Sequence, residues 1–116
     1  MNTTYTGPNS WLVNDVVDLA DGLTLLPLAS GKRHVIKQIF LSVDTADIVI
    51  TINEGANDKT IAKELLQIKL NIDSSMSIPL FKPIILSTAQ ALILDSDADS
   101  SSVTSLVTFI IEGETI

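Results

Sequence analysis

The sequence predicts an all-β protein, an antiparallel two-sheet β-sandwich of about eight strands with jelly-roll-like connections. Three observations lead to this fold class. Short stretches alternate apolar, often β-branched, residues with polar ones, and polar turns separate them. No helical segments stand between the strands to make crossovers. Many connections are too long for two-residue hairpins, so we expect strands to switch sheets, as in a jelly roll.

The composition fits one domain. A chain of 116 residues with 46% hydrophobic content is long and apolar enough to bury a core. Aromatic residues make up only 4%, so Ile, Leu and Val must fill that core. We expect residues 1–10, which are polar and contain a Gly-Pro-Asn turn, to form a flexible N-terminal arm. Residues 11–116 then form a single β-sandwich domain.

Charge and cysteine content limit the partners and cofactors. The net charge of −7 repels nucleic acid and anionic membranes, so we expect neither as a direct partner. The chain has no cysteine, which excludes disulfides and thiolate metal sites. Apolar runs fall short of the roughly 20 residues of a membrane helix, and the N-terminus does not resemble a signal peptide. We therefore expect no membrane association and no Sec export.

The clearest pattern runs from His34 to Ile52. Apolar residues at Val35, Ile39, Leu41 and Val43 are followed by an acidic turn and by Ile48, Ile50 and Ile52. Such alternation predicts two half-buried strands. We expect these strands to pair as a hairpin around which the rest of the chain packs, with Asn53 on the face opposite the isoleucines.

Two further strands precede this stretch. Residues 11–19 read as an edge strand, because Asp15 interrupts the apolar face that begins with Trp11. Burial of Trp11 in the core is favoured over a role as a ligand platform. In the alternative interpretation, Tyr5 and Trp11 anchor the arm on a neighbouring subunit. Residues 23–28 contain Pro27, which lacks a backbone donor and so favours an edge position.

The remaining strands follow in order. Residues 60–73 alternate strictly from Leu66 onward and read as a strand, although one helical turn near residues 62–64 stays open. Residues 76–81 form a strand whose Pro79 favours an edge or a bulge, and Lys82-Pro83 breaks it. The last strands are predicted at residues 84–86, 91–94 and 103–111.

Catalytic constellations are nearly absent from the sequence. His34 is the single histidine, and a buried structural role is favoured over a general base. Because Ser and Asp are plentiful, a Ser-His-Asp combination carries little information. We nominate no catalytic residue, expect no cofactor and expect no enzyme activity.

Two charged motifs are the remaining candidate sites. Asp95, Asp97 and Asp99 alternate like the opening of a calcium loop, but Ser100 and Leu106 stand where that loop needs Gly and Glu. A solvated acidic loop is therefore favoured over a metal site. Lys32, Arg33 and Lys37 form the main basic cluster, which either grips an acidic partner or is simply exposed.

Taken together, the layout resembles the small β-sandwich virion proteins of tailed bacteriophages. The resemblance covers most of residues 20–114 and is carried by four segments. These segments are the Leu25-Leu26-Pro27 strand with its glycine loop, the VIKQIFLSV and IVITINEG strands, the stretch 77–86 with its two prolines, and the final strand before the acidic residues 112–114.

The resemblance implies a non-enzymatic structural role, most directly as a capsid decoration or cement protein. Such a protein is made in the host cytoplasm, resides in the virion and binds the major capsid protein as a homo-oligomer, with a trimer favoured. The expected partner-binding residues are Tyr5, Trp11, Lys32 and Arg33. The alternative is a carbohydrate- or receptor-binding module of a head or tail fibre, since jelly rolls also host lectins.

Overall fold

Nine strands and no helix make up the described part of the chain. The computed structural model describes residues 2–5, 7–44, 47–97 and 106–116. The strands are β1 (Asn2–Tyr5), β2 (Ser10–Asp18), β3 (Leu23–Leu26), β4 (His34–Val43), β5 (Ile48–Gly55), β6 (Ile61–Leu70), β7 (Ser74–Ile85), β8 (Ala91–Ser96) and β9 (Leu106–Thr115).

The strands form two antiparallel sheets. Sheet A has the order β1-β2-β9-β4-β7, and sheet B has the order β3-β8-β5-β6. From β2 onward, successive strands alternate between the sheets, except that β5 and β6 are neighbours in sheet B. This alternation is the connectivity of a jelly roll. The predicted fold class is confirmed, with nine strands where about eight were expected.

The predicted hairpin between β4 and β5 is wrong. β4 pairs with β7 and β9 in sheet A, whereas β5 pairs with β6 and β8 in sheet B. The apolar face predicted for each strand is nevertheless buried, as Ile39 and Ile50 show. The two strands meet across the core rather than side by side. Alternation indicates which face is buried, but it does not indicate which strand is the neighbour.

The edges of the sheets differ from the expectation at one place. β2 is not an edge strand, because residues 2–5 of the predicted N-terminal arm form β1 and pair along its outer side. The other edge predictions agree with the structure. β3, which ends directly before Pro27, lies at an edge of sheet B, and β7, which contains Pro79, lies at an edge of sheet A.

β7 contains a wide bulge. Pro79 lies opposite Gln38 and Ile84 lies opposite Ile36, so residues 80–83 span a step that β4 makes with Lys37 alone. The sequence predicts that the strand ends at Lys82-Pro83, but in the structure one strand continues through this segment and forms the bulge there. Neither proline can donate to the ladder, and an edge position with a bulge tolerates both.

The core lies between the sheets and is almost entirely aliphatic. β4 and β5 contribute seven of the twenty buried residues that the structure describes in it, and Val107, Phe109 and Ile111 of β9 are fully buried in it as well. Leu92 and Leu94 of β8 close it from sheet B. Each buried aliphatic side chain contributes about 1.5–3 kcal/mol relative to exposure, so this layer dominates stability.

Two buried polar side chains were not foreseen. Asn53 lies on the predicted face with Thr51, whose Oγ1 accepts a hydrogen bond from its Nδ2 (3.0 Å), but its side chain is buried there. Glu54 is also buried, and its two carboxylate oxygens accept hydrogen bonds from the backbone N–H (2.6 Å) and hydroxyl (3.0 Å) of Ser87. These bonds fasten the segment after β7 to sheet B.

Gly113 allows the closest approach of strands in sheet A. It lies in β9 between Trp11 of β2 and Ile36 of β4. A Cβ atom at this position would overlap the carbonyl oxygen of Val35 and lie 2.9 Å from Cζ2 of Trp11. Only glycine therefore lets the Trp11 ring pack flat against this strand.

We expect Gly113→Ala to lower the free energy of unfolding by about 3 kcal/mol, because backbone and ring must both shift to admit one methyl group. Urea unfolding followed by Trp11 fluorescence measures this loss. Gly7→Ala is the control, since its nearest neighbour outside the adjacent residues is 3.7 Å away. An unchanged unfolding midpoint for Gly113→Ala would contradict the packing described.

Candidate functional site

The two ends of the sandwich differ in character. At one end, which we call the cleft end, the β1–β2 and β3–β4 loops meet the chain terminus after β9. The backbone groups of Arg33 and Ile116 are joined by two hydrogen bonds of 2.8 Å, and Thr115 donates its N–H to the carbonyl of Asn9 (2.8 Å). Three segments that are distant in sequence are thus held together at this end.

A cleft of about 250 Å³ opens between these segments. Leu26, Pro27 and Leu28 form an apolar wall, and Tyr5 stands at the rim with 71% of its surface exposed. The remaining lining residues are Pro8, Asn9, Trp11, Ala29, Lys32, His34 and Thr115. The cleft therefore brings together Tyr5, Trp11 and Lys32, which are three of the four residues predicted to bind a partner.

Trp11 forms the floor of the cleft rather than an exposed platform. Only 2% of its surface is accessible, so the predicted core burial is confirmed. Its ring meets the His34 ring edge-on, with centroids 6.3 Å apart and an interplanar angle of 89°. Its indole Nε1 is buried without a hydrogen-bond partner among the described residues. Such a group is costly, so the packing of the ring must outweigh it.

His34 is fully used by the structure. Nε2 lies 2.8 Å from the carbonyl oxygen of Pro27, and Nδ1 lies 2.9 Å from Oγ1 of Thr115. A carbonyl oxygen can only accept, so Nε2 carries a proton, and in the neutral ring Nδ1 accepts from the Thr115 hydroxyl. The ring thereby ties the β3–β4 loop to the end of β9, which matches the structural role predicted for it.

The two predicted basic residues have different surroundings. Lys32 lines the cleft and is exposed. Arg33 is exposed as well, but it does not line the cleft, and its Nε donates to Oγ1 of Thr88 at 3.0 Å. Lys37, the third member of the basic cluster, pairs with Glu114 at 3.3 Å. Lys32 is thus the cation best placed to meet a partner at the cleft.

Two aspartates of the acidic motif accept hydrogen bonds from the backbone. Oδ1 of Asp97 accepts the backbone N–H of Val49 (2.9 Å), and Oδ1 of Asp95 accepts that of Ser96 (2.8 Å). Asp99 lies outside the described residues. Within the described ranges, no group of three His, Cys, Asp or Glu side chains is arranged to hold a metal ion.

Carboxylates crowd the end of the sandwich opposite the cleft, which we call the acidic end. Turns β2–β3, β4–β5 and β6–β7 and the end of β8 meet there. The described carboxylates in or beside these turns are Asp18, Asp21, Asp44, Asp47, Asp73, Asp95 and Asp97. Lys69, near the end of β6, is the cation that the described ranges place nearest to them. The charge of −7 is therefore concentrated at one end of the molecule.

The outer face of sheet A carries apolar side chains that sequence reasoning missed. Val16 is 57% exposed and Ile110 is 41% exposed; the half-buried Phe40 lies beside Ile110 in the ladder, and the half-buried Leu12 lies beside Glu112. Polar residues such as Thr108 and Ser42 surround them. The signal was present, because β2 and β9 carry apolar residues on both faces.

Sheet A also carries a groove on this face and, in its edge strand β7, a protruding side chain that we call the knob. The groove has a volume of about 240 Å³ and is lined by Leu12, Gln38, Ile39, Phe40, Ser77, Ile110 and Glu112. The knob is Phe81 in the β7 bulge, whose side chain is 101% exposed relative to a free residue. A large aromatic side chain in this state gains nothing from the fold that presents it, so it is a candidate for a contact with another molecule.

No protein-family model and no curated protein sequence matches this chain. In the described part of the molecule, no helix has the length and apolarity to cross a membrane. The argument for function therefore depends on the cleft, the outer face of sheet A and the distribution of charge.

We expect Thr115→Val to lower the free energy of unfolding by about 1–2 kcal/mol, because it leaves Nδ1 of buried His34 without its partner while keeping the side-chain shape. Thermal or urea unfolding measures the change. Thr4→Val on exposed β1 is the matched control and is expected to change stability by less than about 0.5 kcal/mol. Equal stability of the two variants would contradict the hydrogen bond assigned to His34.

We expect Asp97→Ala to lower the melting temperature equally in calcium and in a chelator, because its carboxylate accepts the Val49 N–H and needs no metal for this role. Differential scanning calorimetry under both conditions measures the effect, with Asp21→Ala as the control at the same end. A melting temperature that rises with calcium in the wild type, and no longer does so in Asp97→Ala, would show a metal site instead.

Proposed function

We propose that this protein is a non-enzymatic structural protein that attaches to a larger protein assembly, specifically a capsid decoration protein of a tailed bacteriophage. The observation that carries the proposal is the amount of apolar surface left outside a complete core. Phe81, Tyr5 and Val16 are exposed although the space between the sheets is already filled. Apolar surface of this kind is typical of proteins that bury it against a partner.

The uneven charge supports a defined orientation on that partner. Lys32 and Arg33 stand at the cleft end, and the carboxylates crowd the acidic end. An acidic partner surface attracts the cleft end and repels the other end, which steers the encounter before contact. The major capsid protein is the proposed partner, and the resemblance noted above makes a homo-oligomer, with a trimer favoured, the proposed bound form.

The cleft supplies a second requirement of attachment. Its walls come from two loops and the chain end after β9, which are fastened by backbone hydrogen bonds, so little ordering is needed on binding. A partner segment that enters it meets apolar side chains below and Lys32 and Asn9 at the rim. An apolar centre with a polar rim is the usual composition of a protein–protein contact.

The test is addition of the purified protein to heads of the phage that encodes it, prepared without this protein. We expect saturable co-sedimentation at a fixed number of copies per head, and density on the head surface by electron microscopy. Lys32→Glu is expected to weaken attachment at least about 10-fold through charge repulsion at the docking end. Lys69→Glu, on β6 near the acidic end, is the matched control and is expected to bind like the wild type.

Absence of co-sedimentation at all concentrations would contradict the proposal. Equal binding by wild type, Lys32→Glu and Lys69→Glu would show attachment through a different surface than the cleft end.

A second candidate function is favoured by one feature, the exposed ring of Tyr5 beside a cleft with polar groups. Aromatic rings that flank polar side chains are a common arrangement for stacking on sugars. In this alternative the protein is a carbohydrate- or receptor-binding module of a fibre. Because Trp11 is the only tryptophan and lines the cleft, its fluorescence reports sugar binding directly. A saturable change with a glycan, lost in Tyr5→Ala, would favour this function over attachment to the head.

A further inference from the structure

We infer that the outer face of sheet A is a self-association surface, on which Phe81 of one copy enters the groove of a second copy and Lys82 pairs there with Glu112. The inference goes beyond the proposed function, because it names a surface through which two copies of the chain associate, in place of the trimer that the resemblance favours. In this contact, the knob of one copy binds in the groove of the other copy.

The knob is built to protrude. Ile78 and Leu80 of β7 pack against the core, so alternation along the strand turns Phe81 away from it. Pro79 and Pro83 flank the segment and restrict its backbone. A rigid aromatic side chain that loses little conformational freedom on binding is the usual anchor of a protein interface.

The groove has the size and chemistry to accept this side chain. Leu12, Phe40 and Ile110 make it apolar, and its volume of about 240 Å³ exceeds what a phenyl ring needs. For comparison, an engineered apolar cavity of about 150 Å³ binds benzene. Insertion of Phe81 also brings ring against ring at Phe40, which adds about 0.5–1.5 kcal/mol to simple burial in comparable pairs.

Charge at the groove selects this occupant. Glu112 lines the groove, and Lys82 is exposed directly after Phe81. The ladder positions beside Glu112 and Ile110 hold Leu12, Gln38, Asn14 and Phe40, all uncharged. In a chain with a net charge of −7, this nearly neutral face is where two copies can approach without strong repulsion. Insertion of Phe81 into the cleft of a second copy is disfavoured, because Lys82 of one copy would then approach Lys32 of the other.

The placement of knob and groove favours a two-fold contact. Ser77 lines the groove and Phe81 lies four residues further along the same strand, so groove and knob belong to neighbouring parts of sheet A. A two-fold axis between them lets each copy insert its Phe81 into the other. A five-stranded sheet with strands of this length presents a face of roughly 24 by 30 Å, close to the about 800 Å² per partner of stable interfaces.

The test is the mass of the purified protein over a concentration series, by light scattering or sedimentation equilibrium. We expect a dimer in the wild type and at least a 10-fold higher dissociation constant in Phe81→Ala. Because Phe81 is fully exposed, the melting temperature of the variant at low concentration should not change. Ile61→Ala removes an exposed apolar side chain (41% exposed) from β6 of sheet B, and it is the control expected to associate like the wild type.

A charge exchange makes the test specific. Lys82→Glu and Glu112→Lys each place like charges together across the contact, and each is expected to weaken association at least 10-fold. The double variant carries the pair in reverse and is expected to return to within about 3-fold of the wild type. If Lys82 and Glu112 did not face each other across the interface, the double variant would not recover the affinity lost in the single variants.

Three results would overturn the inference. They are a monomeric wild type throughout the series, a wild-type mass that Phe81→Ala leaves unchanged, and a double charge variant no stronger than the single variants. None of these results bears on attachment to phage heads through the cleft end. Conversely, failure of head binding with intact dimer formation would remove the proposed function and leave this surface standing.

Discussion

The position of β9 between β2 and β4 is the constraint on which the other features depend. Its inward side chains, such as Phe109, fill the core, and its outward Ile110 and Glu112 line the groove. Gly113 admits the Trp11 ring, and Thr115 holds His34 at the cleft. A single strand at the centre of sheet A thus contributes to the core, to the cleft and to the outer face, so these three features form together when the C-terminal strand pairs.

This arrangement explains why the buried titratable side chains His34 and Glu54 serve the structure. The titratable groups with special environments are occupied by structural hydrogen bonds, His34 to the loop and Glu54 to Ser87. The surface features described above are a cleft at one end, a knob and a groove on sheet A, and a cluster of carboxylates at the opposite end. The proposed attachment to other proteins rests on this shape and charge, which the aliphatic core holds in place.

The fold class was predictable from the sequence because period-two alternation is local. It identified the buried side of β4 and β5 at Ile39 and Ile50. Pairing depends on contacts between distant segments, which is why the β4–β5 hairpin was wrong and β9 was not recognised as central. Asn53 lies on the predicted face with Thr51, but its burial was not predictable, because alternation shows which residues share a face and not which outer positions are covered.

The candidate site was predictable only in part, because residue type is a local property and the meeting of distant residues is not. Residue type alone marked Tyr5, Trp11 and Lys32 as candidates, and their convergence at one cleft follows from the jelly-roll connections rather than from spacing.

Native-state hydrogen exchange tests most directly the claim that β9 organises the molecule. If β9 organises the molecule, amides of Val107 to Ile111 exchange in the slowest group, through global unfolding only. Exchange of β9 at the rate of the edge strand β7, while β2 and β4 stay protected, would contradict it.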